Sequence, residues 1–255
     1  MYFPGSGKLY LIPLPIAAGT QAQAIPIHIN HIIQQLDYFL VENIRTARRY
    51  IKALGHPQPI NQLVFVCLDK HTPAQQVATY MQPVKQGRDA GLLAEAGCPG
   101  IADPGSLAVQ YAHQHQIEVV PLVGPSSILL ALIASGFDGQ NFAFHGYLPI
   151  NQRARQVAIK KLEGAAWQFG QTQIFIETPY RNQALLAALL ATCRAETQLC
   201  IGRNITGQGG WIRAQSIQQW KAHKPDLHKV PVVFLLASAT QGLSQDLTQT
   251  SLHPG

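Results

Sequence analysis

The residues best placed to do chemistry lie in the stretch 92–105, which reads L-L-A-E-A-G-C-P-G-I-A-D-P-G. An apolar run stops at Glu95, and glycines and a proline then hold the chain in a tight loop. Asp103-Pro104 signals a helix start, because Asp can cap and Pro suits the first helical position. The pattern is strand, glycine loop, helix N-terminus. In open α/β sheets ligands sit at such junctions, just beyond the carboxyl ends of strands. Glycine lets backbone approach a ligand, and the unpaired N–H groups of a helix start favour a carboxylate or phosphate. The same residue types also serve simply to turn a chain, so the spacing alone leaves both readings open. Arg45, Arg48, Arg49 and Lys52 crowd one predicted helix, and Arg153, Arg155, Lys160 and Lys161 another. Each cluster suits an anionic partner or a solvated face.

Two other patterns carry less. Gly5-Ser6-Gly7-Lys8 hints at a phosphate loop, but no Ser or Thr follows the lysine and the segment precedes a strand. Cys67, Cys98, Cys193 and Cys200 include no C-x-x-C pair, which argues against a zinc site. Three of the four lie in or beside apolar strands, as reduced thiols of a cytoplasmic protein without disulfides would.

The elements that must position these residues alternate. Strands are expected at 8–13, 38–42, 63–68, 92–94 and 117–121. Helices fall between them at 25–36, 44–54, 73–82 and 107–115, with Asn43 capping the second and Gly55 ending it. The strands are continuous apolar runs, so this sheet should be mainly parallel. Gly124-Pro125-Ser126-Ser127 breaks the rhythm and opens an almost wholly apolar helix over 128–134. Beyond it, strands near 141–146, 172–177, 197–203, 210–213 and 231–236 have only two helices among them, at 152–163 and 180–192. Some of that pairing must be antiparallel, giving a mixed sheet. The expected organisation is an N-terminal α/β domain over 1–121, a C-terminal α/β domain over 122–237, and a disordered Ser/Thr/Gln-rich tail over 238–255.

With 47% hydrophobic residues in 255, the chain can bury a sizeable core. Charged residues make up 13%, about half the usual share. The net charge of +6 favours anionic partners, nucleic acid first. No stretch approaches the roughly 18 apolar residues of a membrane span, and the start lacks the charged-then-apolar form of a signal peptide.

Six segments in register resemble the tetrapyrrole-methylase-like class of S-adenosylmethionine methyltransferases, most closely its ribosomal RNA small subunit methyltransferase I group. That group's S-D-A-G-T-P-G-I-S-D-P-G loop appears as A-E-A-G-C-P-G-I-A-D-P-G over 94–105. Its G-P-S-A is Gly124-Pro125-Ser126-Ser127, followed by Ala134-Ser135-Gly136, and its F-L-P is Tyr147-Leu148-Pro149. Its Y-E-A-P-H-R is Ile176-Glu177-Thr178-Pro179-Tyr180-Arg181. Its T-P-I is Leu14-Pro15-Ile16 and its E-D-T-R is Glu42-Asn43-Ile44-Arg45.

The resemblance implies two α/β domains with S-adenosyl-L-methionine in the cleft between them, in a cytoplasmic homodimer that needs no metal. It implies cofactor contacts from Pro15, Glu95, Ala96, Gly97, Cys98, Ile101, Ala102, Ser126, Ser127 and Thr178. The implied reaction is methyl transfer to a ribose 2′-hydroxyl of RNA in the small ribosomal subunit. That reaction calls for a base or acceptor near the hydroxyl, and Glu42, Asp69, His71 and Glu177 sit at or after strand ends. Arg45, Arg153, Arg155 and Arg181 are the implied phosphate contacts. The chain departs from the family in several places. Ala17-Ala18 replaces Gly-Asn, Asn43 replaces an Asp, Glu95 replaces an Asp, and 202–210 lacks the family's Glu, Lys and acidic pair. These departures leave two alternatives open: a tetrapyrrole or other small molecule as acceptor, and a relative that binds cofactor or RNA without catalysis. The basic surface and the lack of a glycine-rich turn after the first strand weigh against a tetrapyrrole.

Overall fold

A computed structural model describes residues 5–239, so nearly all of the expected tail lies outside the described residues. The chain separates into two compact units, Met1–Ser126 and Ser127–Gly255.

The N-terminal unit is built on five strands: β1 (Lys8–Ile12), β2 (Tyr38–Val41), β3 (Val64–Cys67), β4 (Ala90–Leu93) and β5 (Glu118–Pro121). They form one sheet in the order β3-β2-β4-β1-β5, every pair parallel. β2 and β4 are buried along their whole length, as strands covered on both faces must be. Alternate side chains feed two cores. Leu9, Leu40 and Leu92 pack with Val77, Met81 and Val84 of α4 (Ala74–Lys85) and Ala108, Tyr111 and Ala112 of α5 (Ser106–Gln114). On the other face Ile12, Phe39, Val41 and Leu93 meet Ile29 and Ile33 of α2 (Ile27–Gln35) and Ala47 and Ile51 of α3 (Ile44–Ala53).

The expected helix over 25–36 starts two residues late, as α2, because Pro26 forces Ile25 into an extended conformation, and a short helix that was not expected, α1 (Gln21–Ala24), precedes it. α4 runs three residues past its expected end, through Pro83, with Val84 buried in the core behind it. Asn43 caps α3 as expected, its side chain accepting from Thr46 N at 3.2 Å.

The C-terminal unit opens with α6 (Ser127–Ser135) and carries β6 (Phe142–Tyr147), α7 (Gln152–Phe169), β7 (Thr172–Glu177), α8 (Asn182–Thr192), β8 (Gln198–Arg203), β9 (Trp211–Ser216), α9 (Ile217–Ala222) and β10 (Val232–Ala237). Its sheet runs β6-β7-β10-β8-β9. Only β6 and β7 pair in parallel; the other three pairs are antiparallel, so the sheet is mixed. The final strand, β10, sits in the middle and is buried at every residue. α7, α8 and α9 cover one face through Ile159, Leu185, Leu189, Ile217 and Trp220, while Ala131 and Leu132 of α6 lie on the other. α7 extends beyond its expected end at 163 to Gly170, which caps it at φ 59°. α9 was not expected from periodicity; a capping box of Ser216 and Gln219 starts it.

Candidate functional site

Crossing connections in the order β3-β2-β4-β1-β5 bring the carboxyl ends of β1, β2 and β4 side by side. Pro13 to Gly19 leaves β1, Glu42 leaves β2 and the 94–105 loop leaves β4. Leu14 and Gly97 form an isolated antiparallel bridge with reciprocal N–H···O bonds of 2.9 and 3.0 Å, which ties the first turn to the loop. Gly97, Gly100 and Ala102 all adopt left-handed backbone, at φ 73°, 87° and 61°. For the alanine this conformation costs roughly 1–2 kcal/mol. Asp103 holds the strained segment, accepting from Gly100 N at 2.9 Å and Gly105 N at 2.7 Å. Gly105 is therefore the N-cap of α5, and Asp103 braces the loop instead of capping the helix.

One side of the loop faces residues 124–125. Gly124 lies so close to Pro13 that a Cβ there would fall 2.1 Å from the proline Cβ. This contact delivers Pro125 to the loop, where the Cys98 thiol reaches its carbonyl at 3.5 Å. Burial pushes the Cys98 thiol up, so it is a protonated donor. A Cβ at Gly97 would touch Ile16 Cγ2 and the Pro125 carbonyl, both at 3.5 Å. Ile101 and Ala102 are exposed on the loop, and Ser126 closes this unit.

The other side of the loop opens on a cleft of about 950 Å³ within the N-terminal unit. Pro15, Glu95 and Ala96 line it together with the turn 17–19 and Asn30 of α2. Its far wall is α3, through Thr46, Arg49, Tyr50 and Ala53. Those four recur at i, i+3, i+4 and i+7, a single helix face. Sequence reasoning marked only the charges on this helix, although the spacing that makes the wall was there to read. Burial pushes Tyr50 up to about 12, so its hydroxyl stays protonated.

At the end of β2, Glu42 Oε2 accepts from Glu95 N at 3.4 Å. Partial burial raises the Glu42 carboxyl above the ordinary range, and the nearby carboxylates of Glu95, Asp103 and Asp69 push the same way. Asp69 moves in the opposite direction, lowered by His71 N–H and the Thr72 hydroxyl. It braces its own turn, accepting from His71 N at 2.9 Å and Thr72 Oγ1 at 3.0 Å, while the His71 ring is exposed.

In the C-terminal unit, Ser127 is the first residue of α6 and Thr178 follows β7. Glu177 is buried and its Oε1 accepts from Arg181 Nε at 2.9 Å, Arg181 Nη2 at 2.6 Å and Thr178 N at 2.6 Å. A residue expected to be catalytic and one expected to hold phosphate thus bind each other. Arg153 is exposed on α7, whereas Arg155 is half-buried with a sequestered Nε. Gly202 and Arg203 end β8, and the loop that follows is held by side chains: Asn204 Nδ2 donates to Gln208 O and Arg203 Nη1 to Gly209 O. Among the described residues no group of three His, Cys, Asp or Glu side chains could hold a metal ion. No described helix is long and apolar enough to cross a membrane.

No family model matches the chain. It is 28% identical over 250 residues to ribosomal RNA small subunit methyltransferase I of Pasteurella multocida, spanning 97% of this chain and 85% of that protein. The protein of the same name from Vibrio cholerae is 29% identical over 98% of the chain. That from Synechocystis is 30% identical over 78% of the chain and 67% of its own length. Among solved structures, the methyltransferase CobJ superposes with a TM-score of 0.60 at 16% identity, over 92% of this chain and 95% of that one. Uroporphyrin-III-C-methyltransferase from Thermus thermophilus gives 0.52 at 15%, over 91% and 95%.

Proposed function

The chain belongs to the ribosomal RNA small subunit methyltransferase I family, and on that premise we propose that it transfers a methyl group from S-adenosyl-L-methionine to a ribose 2′-hydroxyl of small-subunit ribosomal RNA. The near-full-length match to relatives of that name carries the reading.

The loop residues suit the proposed cofactor. Glu95 offers an exposed carboxylate to a hydroxyl or amine, and the left-handed residues at 97–102 hold main-chain groups out of regular structure. Pro15, Glu95, Ala96, Gly97, Cys98, Ile101, Ala102 and Ser126 are the proposed contacts of the N-terminal unit. Ser127 and Thr178 are those proposed in the C-terminal unit. When bound, S-adenosyl-L-methionine supplies a methyl group made electrophilic by a sulfonium, so no general acid is needed for its release.

Most of the rate would then come from holding the acceptor oxygen in line with that methyl. Glu42 is the best placed of the expected bases to take the hydroxyl proton. Its raised carboxyl sits beside the loop, and an acid of that kind is a better proton acceptor than an ordinary carboxylate. His71 is a second candidate at the end of β3, whereas Glu177 is engaged with Arg181. Arg45, Arg153 and Arg155 would meet phosphates. A cytoplasmic homodimer is the proposed working form.

Small ribosomal subunits from a strain deleted for this gene, incubated with the protein and methyl-labelled S-adenosyl-L-methionine, test the assignment. Label is expected in the RNA, in dinucleotides that resist alkali, since a methylated 2′-oxygen cannot attack the neighbouring phosphate. Label absent from RNA, or found in a tetrapyrrole supplied in parallel, overturns it.

A further inference from the structure

We propose that α3 is the rail on which the phosphodiester backbone of the acceptor RNA docks, and that the cleft it walls receives the acceptor nucleotide with its ribose toward Glu95. The inference rests on the RNA methyltransferase reading and adds where the strand lies.

α3 holds Arg45, Arg48, Arg49 and Lys52 and no acidic residue, in a chain whose net charge is only +6. All four are exposed, and none pairs with a carboxylate among the described residues. A surface this one-sided is normally diluted by acidic partners at i+3 or i+4; here Ala47 and Ile51 face the core and nothing offsets the cations. From Arg45 to Lys52 the stripe runs about 10 Å along the helix axis. Arg48 lies over the Phe65 ring, 5.9 Å from its centroid, which steadies the guanidinium at the edge strand β3.

The stripe does not stand alone. Arg49 lies on its border and also lines the cleft, so the cations lead directly to the opening. The cleft's acidic lip is Glu95, on the loop after β4, and Glu42 accepts a bond from its backbone. A phosphate is drawn to the α3 wall and repelled from the Glu95 lip, while a ribose hydroxyl, being a donor, is favoured at the lip. The two walls therefore impose one orientation on a nucleotide. Leu14, Ile16, Ile25 and Leu54 supply an apolar floor for a base taken out of its stack.

Two variants test this. In Arg45→Gln/Arg48→Gln/Lys52→Gln, binding to protein-free small-subunit RNA is measured across a salt series. Each phosphate contact on a single strand contributes roughly 0.7 to the salt slope, so the slope should flatten by about 2. S-adenosyl-L-methionine titrated calorimetrically should bind the variant as it binds the parent protein, which shows that the fold is intact. In Ala53→Trp the indole enters the cleft from the α3 side, and methyl transfer to RNA should fall at least tenfold, by far more than any change in cofactor affinity. A parent-like salt slope, or full transfer by Ala53→Trp, overturns the inference. So does a triple variant that loses intact subunits but still binds naked RNA, because the stripe would then contact a ribosomal protein. If the parent protein itself labels no RNA, the functional assignment fails separately from the docking geometry, which the binding series judges by itself.

Discussion

Arg181 separates a structural from a substrate-binding role more cleanly than any other residue of the site. Its guanidinium donates two bonds to Glu177 Oε1, at 2.9 and 2.6 Å, and the Glu177 side chain is 0% exposed. Arg181→Ala leaves a fully buried carboxylate with one remaining donor, Thr178 N. Removing one partner of a buried pair costs about 3–5 kcal/mol. Because Arg181 keeps 32% of its side chain in water, the low end applies, about 3 kcal/mol. For a unit of this size such a loss lowers the melting temperature by roughly 10–15 °C. Replacing both partners, Glu177→Leu with Arg181→Met, removes the stranded charge and should recover most of that loss. Thermal unfolding followed by circular dichroism reads both variants, with RNA affinity measured alongside. If Arg181→Ala melts within about 3 °C of the parent and binds RNA more weakly, the arginine serves the substrate and the reasoning is wrong.

Gly97→Ala introduces a Cβ at 3.5 Å from Ile16 and the Pro125 carbonyl and forces a left-handed alanine; it should cost roughly 1–2 kcal/mol of stability yet abolish calorimetric binding of S-adenosyl-L-methionine. Unchanged affinity would remove Gly97 from the cofactor site. Glu42 holds its proton more tightly folded than unfolded, so its contribution is full below the unfolded value and is lost as pH rises through the folded one. Glu42→Gln should therefore melt higher than the parent at pH 8, with the advantage vanishing near about pH 4, and should transfer methyl far more slowly with cofactor affinity retained. An equal melting temperature at both pH values, or undiminished transfer, would count against the buried-base assignment.

The N-terminal sheet was legible because β2 and β4 are buried on both faces and its strands read as apolar runs between helical patterns. Asn43 and Gly55 announced the two ends of α3 by residue type, and the antiparallel pairing followed from how few helices separate the late strands. Where the reading slipped, a local rule lost to packing. The helix expected over 152–163 runs on to Gly170, carried there by buried Ala166. α9 is too short for periodicity to show, and its Ser-x-x-Gln signature, the one local sign of it, went unread. At the site, the loop and its glycines stood out. The ion pair of Glu177 with Arg181 did not, since residue type alone says nothing of which neighbour a carboxylate finds. Of the cleft, the spacing along α3 was readable, but not the turn that faces it: Ala17 and Ala18 are ordinary residues whose significance lies in what surrounds them.

β10 emerges from synthesis after the other four strands of its sheet, yet it fills the centre, hydrogen-bonded to β7 on one side and β8 on the other. Until it arrives, those two strands hold open edges that any nascent neighbour can zip onto. Closure of the C-terminal sheet thus waits on a strand inserted between two already made, and a ribosome paused before residue 232 would display both of their edges unpaired.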